Sequence, residues 1–148
     1  MQPAPDLSIG QVATRTGLSV PTIRYYEEIG LVRQAGRREG GHRTYGAGQL
    51  RRLTFIAHCR DLGFTIEQTR SLLAVTIDNR PCADARTITE THLLAVDAKI
   101  AELKEIRRHL DGFVKQCFDA CAGSSASNCT MIDDLSKPAT KRKRRRNG

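Results

Sequence analysis

Ser8-Ile9-Gly10-Gln11-Val12-Ala13 and, beyond Gly17, Ser19-Val20-Pro21-Thr22-Ile23-Arg24-Tyr25-Tyr26-Glu27 form the stretch on which the reading of the fold turns. Ser8 is an N-cap with Gln11 at the third helical position, which makes a capping box, and Leu7 and Val12 stand where a hydrophobic staple closes. Ile9, Val12 and Ala13 mark one buried face. Gly17 ends this helix, and Ser19 caps a second in which Pro21 falls in the first turn, where its missing N–H is not needed. Two short helices around a glycine-containing turn predict a helix-turn-helix.

Outward from that core, the pattern changes after Gly30. Leu31-Val32-Arg33 and His42-Arg43-Thr44-Tyr45 flank the glycine-rich, basic run Gly36 to Gly41, which predicts a hairpin, or wing. A third helix is expected from about Ala47 to Leu62, and a fourth from Thr65, where Gln68 again stands three residues on. Asp78-Asn79-Arg80-Pro81 breaks the helical run and makes the best domain boundary. From Cys82 to about Phe118 no proline intervenes, and a helix of roughly 35 residues, on the order of 50 Å long, is expected. Leu93, Val96, Ile100, Leu103, Leu110 and Val114 fall on alternating steps of three and four with Cys117 next, interrupted by Arg107, so the seam predicts a helix-to-helix homodimer.

Length and charge agree with this plan. The 148 residues leave room for one or two small domains, and 39% apolar with 27% charged residues fits a globular chain without a bilayer span. Met1 to Asp6 carries neither a basic n-region nor an apolar h-region, so a cytoplasmic location is expected. The net charge of +8 divides into +4 over residues 1–64, −2 over 65–140 and +6 over Lys141 to Arg146. A basic front and a cationic tail point to nucleic acid, the tail as a solvated run that strengthens non-specific binding. The chain has no G-x-S-x-G, H-E-x-x-H, Walker A or G-x-G-x-x-G motif, which argues against an enzyme.

Thr22, Arg24, Tyr25 and Tyr26 on the second helix supply a cation and hydroxyls suited to phosphates and base edges in a major groove, and Arg37, Arg38, His42, Arg43 and Tyr45 extend the set into the wing. Tyr26 fits a DNA contact and a core position equally well. Cys59, within Phe55-Ile56-Ala57-His58-Cys59-Arg60, reads as a small buried hydrophobe, and His58, His92 and His109 as helix-surface or locally satisfied residues. Cys82 opens the long helix, where the positive end of the macrodipole favours a thiolate; Cys117, Cys121 and Cys129 cluster around its far end.

Ile9-Gly10-Gln11-Val12-Ala13, Thr22-Ile23-Arg24-Tyr25-Tyr26-Glu27, Gly41-His42-Arg43-Thr44-Tyr45 and Leu62-Gly63-Phe64-Thr65, in this order and spacing, resemble the MerR family of bacterial transcription regulators over about residues 7–120. The resemblance implies a mainly α fold: a winged helix-turn-helix DNA-binding domain, a connecting helix pair and a long C-terminal dimerisation helix in an antiparallel coiled coil. The expected layout is an N-terminal arm (1–6), the winged domain with connecting helices (7–77), linker and dimerisation helix (78–118), a metal-binding loop with a short helix (119–135) and a basic disordered tail (136–148). Family DNA contacts would fall on Thr22, Arg24, Tyr25, Arg43 and Tyr45, with His42 where many members carry another polar or aromatic residue.

The resemblance also implies a switch: a dimer that represses without metal and, with metal bound, distorts double-stranded promoter DNA so that RNA polymerase engages, at a metal-resistance or efflux promoter. In an antiparallel dimer Cys82 of one subunit comes next to Cys117 of the other, and the placement is similar to that in the zinc, cadmium, lead and mercury sensors of the family. Cys82, Cys117, Cys121 and Cys129 are thus the implied ligands of a divalent soft metal ion. A copper(I) or silver sensor using Cys121 and Cys129, and a metal-independent DNA-binding protein, are the alternatives. Cys117-x3-Cys121-x7-Cys129 is too open for the family's iron–sulfur pattern.

Overall fold

The computed structural model describes residues 6–37, 43–120, 123 and 129–138. Its helices begin where short-range hydrogen bonds can start them. In α1 (Ile9–Thr16) the Ser8 hydroxyl accepts from the Gln11 backbone N–H at 3.3 Å, and the Gln11 amide oxygen accepts from the Ser8 N–H at 2.9 Å. Gly17, at φ 72°, closes the helix in a conformation that a Cβ would strain. α2 (Val20–Glu28) is capped by Ser19, whose hydroxyl accepts from the Thr22 N–H at 3.2 Å, with Pro21 in the first turn.

The expected hairpin forms, but in a different place. β1 (Gly36–Arg37) pairs antiparallel with β2 (Arg43–Thr44), Gly36 opposite Thr44 and Arg37 opposite Arg43. Leu31-Val32-Arg33, expected as a strand, is not one. The N–H groups of Leu31 and Val32 fold back onto the Tyr26 carbonyl at 2.9 and 3.1 Å, and both side chains are fully buried beneath the end of α2. Burial of two aliphatic side chains outweighs their strand propensity, which is a weak bias compared with about 1.5–3 kcal/mol per buried residue. Leu7 and Tyr45 then exchange backbone hydrogen bonds at 3.0 and 2.9 Å, which adds the N-terminal segment to the hairpin's base.

α3 (Ala47–Asp61) starts after Gly46, whose N–H donates to the Gln49 amide oxygen at 3.0 Å; the Gln49 amide nitrogen in turn donates to the carbonyls of Arg33 and Gln34. One side chain thus starts a helix and holds the hairpin's entry. α4 (Ile66–Ile77) repeats the capping box with Thr65 and Gln68. The core of this unit is Leu7, Val12, Ile23, Tyr26, Leu31, Val32, Tyr45, Leu53, Ile56 and Leu73. Arg52 donates to the Leu31 carbonyl at 2.8 Å and Arg70 to the Ile29 carbonyl at 2.9 Å, so α3 and α4 each grip the end of α2.

Asp78 ends α4, and Asn79 turns the chain at φ 50°. α5 runs unbroken from Cys82 to Ala120, through Gly112, and α6 spans Thr130–Ser136. Two compact units result, one through His92 and one from Leu93. His92 belongs to the first because its ring stacks on Phe64 (centroids 4.2 Å apart) and its Nε2 lies 2.9 Å from the Leu62 carbonyl. In the second unit Leu93, Val96, Ile100, Leu103, Leu110 and Val114 are all solvent-exposed in the single chain. Among the described residues no helix is long and apolar enough to cross a membrane.

Leu53 is fully buried at the centre of the core. Leu53→Ala is expected to lower unfolding free energy by about 2–5 kcal/mol in urea denaturation, through lost transfer energy and the cavity left behind.

Candidate nucleic-acid interface and metal centre

α2 divides its side chains by helical position. Ile23, Tyr26 and Glu27, at i, i+3 and i+4, point inward, which turns Arg24 and Tyr25 outward and leaves Thr22 half-buried. The Thr22 hydroxyl lies 2.7 Å from that of Ser19, so it completes the helix cap as well as facing out. Tyr25 is 49% exposed, its ring centroid 5.9 Å from that of Tyr26. Arg24 and Arg43 line one hollow of about 240 Å³ with Glu27, Glu28 and Gln34, which brings a helix cation and a wing cation to the same place. Arg37 stands opposite Arg43 in the strand ladder. Arg38 and His42 lie outside the described residues.

Two of the expected DNA contacts are placed otherwise. Tyr26 is 5% exposed and resolves to the core reading. Tyr45 is fully buried, and its hydroxyl donates to Glu27 Oε1 at 2.9 Å. The phenol that the motif offers to a phosphate is already engaged inside the domain. Burial pushes the Tyr45 pKa up to about 12, and the Glu27 carboxylate reinforces the shift through the hydrogen bond and its charge.

Glu27 is the residue that the sequence reading left without a role. Its Oε1 also accepts from the Ala35 N–H at 3.0 Å, and its Oε2 lies 3.9 Å from Arg43 Nη1. A carboxylate on the same helical face as Ile23 and Tyr26 is the available signal, because a charge within an apolar stripe needs partners from elsewhere in the chain.

The cysteines separate into different environments. Cys59 is buried on α3; burial raises its pKa and a hydrogen bond with Thr69 opposes this in part, which suits a core thiol and not a ligand. Cys82 is exposed at the first position of α5. Cys117, near the end of α5, and Cys129, just before α6, bring their sulfurs to 3.5 Å, too far for a covalent S–S bond of about 2.05 Å. Two thiolates on one tetrahedral ion, each at about 2.3 Å, stand about 3.8 Å apart, so this pair fits two corners of a thiolate metal site. Cys121 lies outside the described residues, among which no group of three or more His, Cys, Asp or Glu side chains converges.

Comparison with known proteins identifies the family. Residues 7–75 match the family described as MerR HTH family regulatory protein, and residues 50–113 match MerR, DNA binding. The chain is 42% identical over 134 residues to the HTH-type transcriptional regulator HmrR of Rhizobium leguminosarum bv. viciae, covering 90% of this chain and all of that one. Among solved structures it is similar to the transcription regulator PbrR691 of Ralstonia metallidurans in complex with lead(II). That similarity has a TM-score of 0.73 and 27% identity, over 88% of this chain and 99% of that one. It is also similar to the regulator MerR of Bacillus megaterium in complex with mercury(II), with a TM-score of 0.64 and 29% identity, over 88% of this chain and 100% of that one.

The Tyr45 environment gives a pH signature. The phenol is held protonated up to about 12 in the fold and to about 10 when unfolded, so its contribution is complete below about pH 10 and is lost as pH rises through about 12. Tyr45→Phe should cost about 1–2 kcal/mol at neutral pH. The gap between variant and wild type in urea denaturation should shrink between about pH 10 and about pH 12; a gap that stays constant would contradict this assignment.

Proposed function

Since the chain belongs to the MerR family of helix-turn-helix regulatory proteins, which bind DNA and are not enzymes, we propose that it is a metal-responsive transcription regulator whose effector is a divalent soft metal ion. The observation that carries this reading is the 3.5 Å approach of the Cys117 and Cys129 sulfurs at the far end of α5. Zinc, cadmium, lead and mercury are the candidates, because clustered thiolates favour soft or borderline ions. The lead(II) and mercury(II) complexes of the similar proteins support that class.

The working unit is a cytoplasmic homodimer. Leu93, Val96, Ile100, Leu103, Leu110 and Val114 are exposed on α5 at a/d spacing, and a second copy of the helix is the surface that covers them. Antiparallel pairing brings Cys82 of one subunit beside Cys117 and Cys129 of the other, with Cys121 as a further donor. Those cysteines would hold the ion, which would supply a crosslink between the subunits. The chain's own residues supply the rest: Thr22, Arg24, Tyr25, Arg37 and Arg43 hold the duplex, and the connecting helices carry the state of the thiolates to them. Without metal the dimer represses, and with metal it distorts the promoter of a metal-resistance or efflux gene so that RNA polymerase engages.

Complementation tests the shared site. Subunits carrying Cys82→Ser are mixed with subunits carrying Cys117→Ser and Cys129→Ser, and metal resistant to a dithiol chelator is counted under anaerobic conditions. Heterodimers with a shared site retain about one intact site each, while both parental homodimers retain none. Absence of retained metal in the heterodimer would refute sharing. Loss of metal-dependent transcription in the Cys117→Ser variant, with DNA binding kept, is the expected result in a reconstituted promoter assay.

A further inference from the structure

We propose that Glu27 is a positioning residue for DNA recognition: from inside the domain its carboxylate fixes the wing, and Arg43 with it, against the outward face of α2. The proposal rests on the reading of Arg24 and Arg43 as phosphate ligands.

Three contacts from three places in the chain meet on this one carboxylate. Oε1 takes the Tyr45 hydroxyl, from the residue after β2, and the Ala35 N–H, from the residue before β1. Both roots of the hairpin are therefore fastened to one side chain of α2. Oε2 faces Arg43 Nη1 at 3.9 Å, a distance at which attraction persists without a direct hydrogen bond. The two ends of that pair differ in exposure: the Glu27 side chain is 6% exposed, and that of Arg43 is 47% exposed. The cation keeps its access to a ligand while the anion beneath it is held still.

The chemistry of the group is informative. A neutral amide at this position would satisfy the Tyr45 and Ala35 donors at a lower desolvation cost than a carboxylate. What the carboxylate adds is its field at Arg43 and at Arg24, which lines the same hollow. An arginine held over a fixed anion has already lost part of the side-chain freedom that a mobile arginine would lose on reaching a phosphate. With the wing's distance from α2 set at the same time, helix and wing reach neighbouring phosphates in one register.

The experiment is a double-mutant cycle of Glu27→Gln and Arg43→Ala in the full chain. The probe is a duplex selected by the wild-type protein from a random-sequence library, with a scrambled duplex as control, titrated at several salt concentrations. Glu27→Gln keeps an oxygen for Tyr45 and Ala35 but turns a donor toward Arg43. It should weaken binding to the selected duplex by about tenfold, a coupling expected within one network. In the Arg43→Ala background the same change should alter affinity by less than about twofold.

Equal losses in both backgrounds would mean that Glu27 acts only on the fold, and would overturn the proposal, as would unchanged or tighter binding by Glu27→Gln. Unchanged affinity and salt slope for Arg43→Ala alone would sink the phosphate-ligand reading of the wing itself, and this proposal with it. Loss with Arg43→Ala that Glu27→Gln does not share would sink this proposal alone. Should Glu27→Gln fail to fold, Tyr45→Phe takes its place, since it loosens the same carboxylate by removing one hydroxyl. A several-fold loss that disappears in the Arg43→Ala background is then expected, and a loss that persists there is the contrary result.

Discussion

A buried carboxylate must find its partners or destabilise the fold, and in this protein the partners that Glu27 finds decide where the hairpin's ends stand against α2. It sits on α2 on the same buried face as Ile23 and Tyr26, and it draws in the Tyr45 hydroxyl and the Ala35 N–H. The hairpin of only two residues per strand has little cooperativity of its own, because a lone short ribbon is marginal in water. Its position comes from these ties, from the Leu7–Tyr45 backbone pair and from Gln49, which reaches the Arg33 and Gln34 carbonyls. The wing is thus an extension of the core and not an independent element.

The same logic explains why two of the motif's three tyrosines are interior. Tyr26 and Tyr45 are drawn inward by the requirement to fill a small core that contains no tryptophan, and they leave Arg24, Tyr25 and Arg43 outside. Small domains have little apolar material, so aromatic residues carry a large share of the burial. Residue types that suit a phosphate therefore also suit the interior, and burial decides between the two uses.

The second unit has the opposite character. From Leu93 on, α5 exposes a row of large apolar side chains, flanked by ion pairs such as Lys99–Glu102 and Arg108–Glu105. A polar helix with one apolar seam gains its stability from a covering partner and not from helix propensity. Near the end of that helix the Cys117 sulfur lies 3.5 Å from that of Cys129. The close thiol pair thus lies on the same helix as the exposed apolar seam.

Much of this organisation is determined by short stretches of sequence acting alone. The capping boxes of Ser8 with Gln11 and Thr65 with Gln68, the stop at Gly17 and the break after Asp78 are local events, settled within about one helical turn, and they appear where the residues place them. The DNA-binding family was legible for the same reason, since its motifs are local and ordered. Only the tertiary structure decided that Leu31 and Val32 fill the core and do not form a strand, that Tyr26 and Tyr45 are interior, and that Glu27 joins helix to hairpin. It also set how close the Cys117 and Cys129 sulfurs come, 3.5 Å across twelve positions. Each of these depends on competition between residues distant in sequence for the same buried space or the same hydrogen-bonding atom, and local pattern carries no record of which competitor wins.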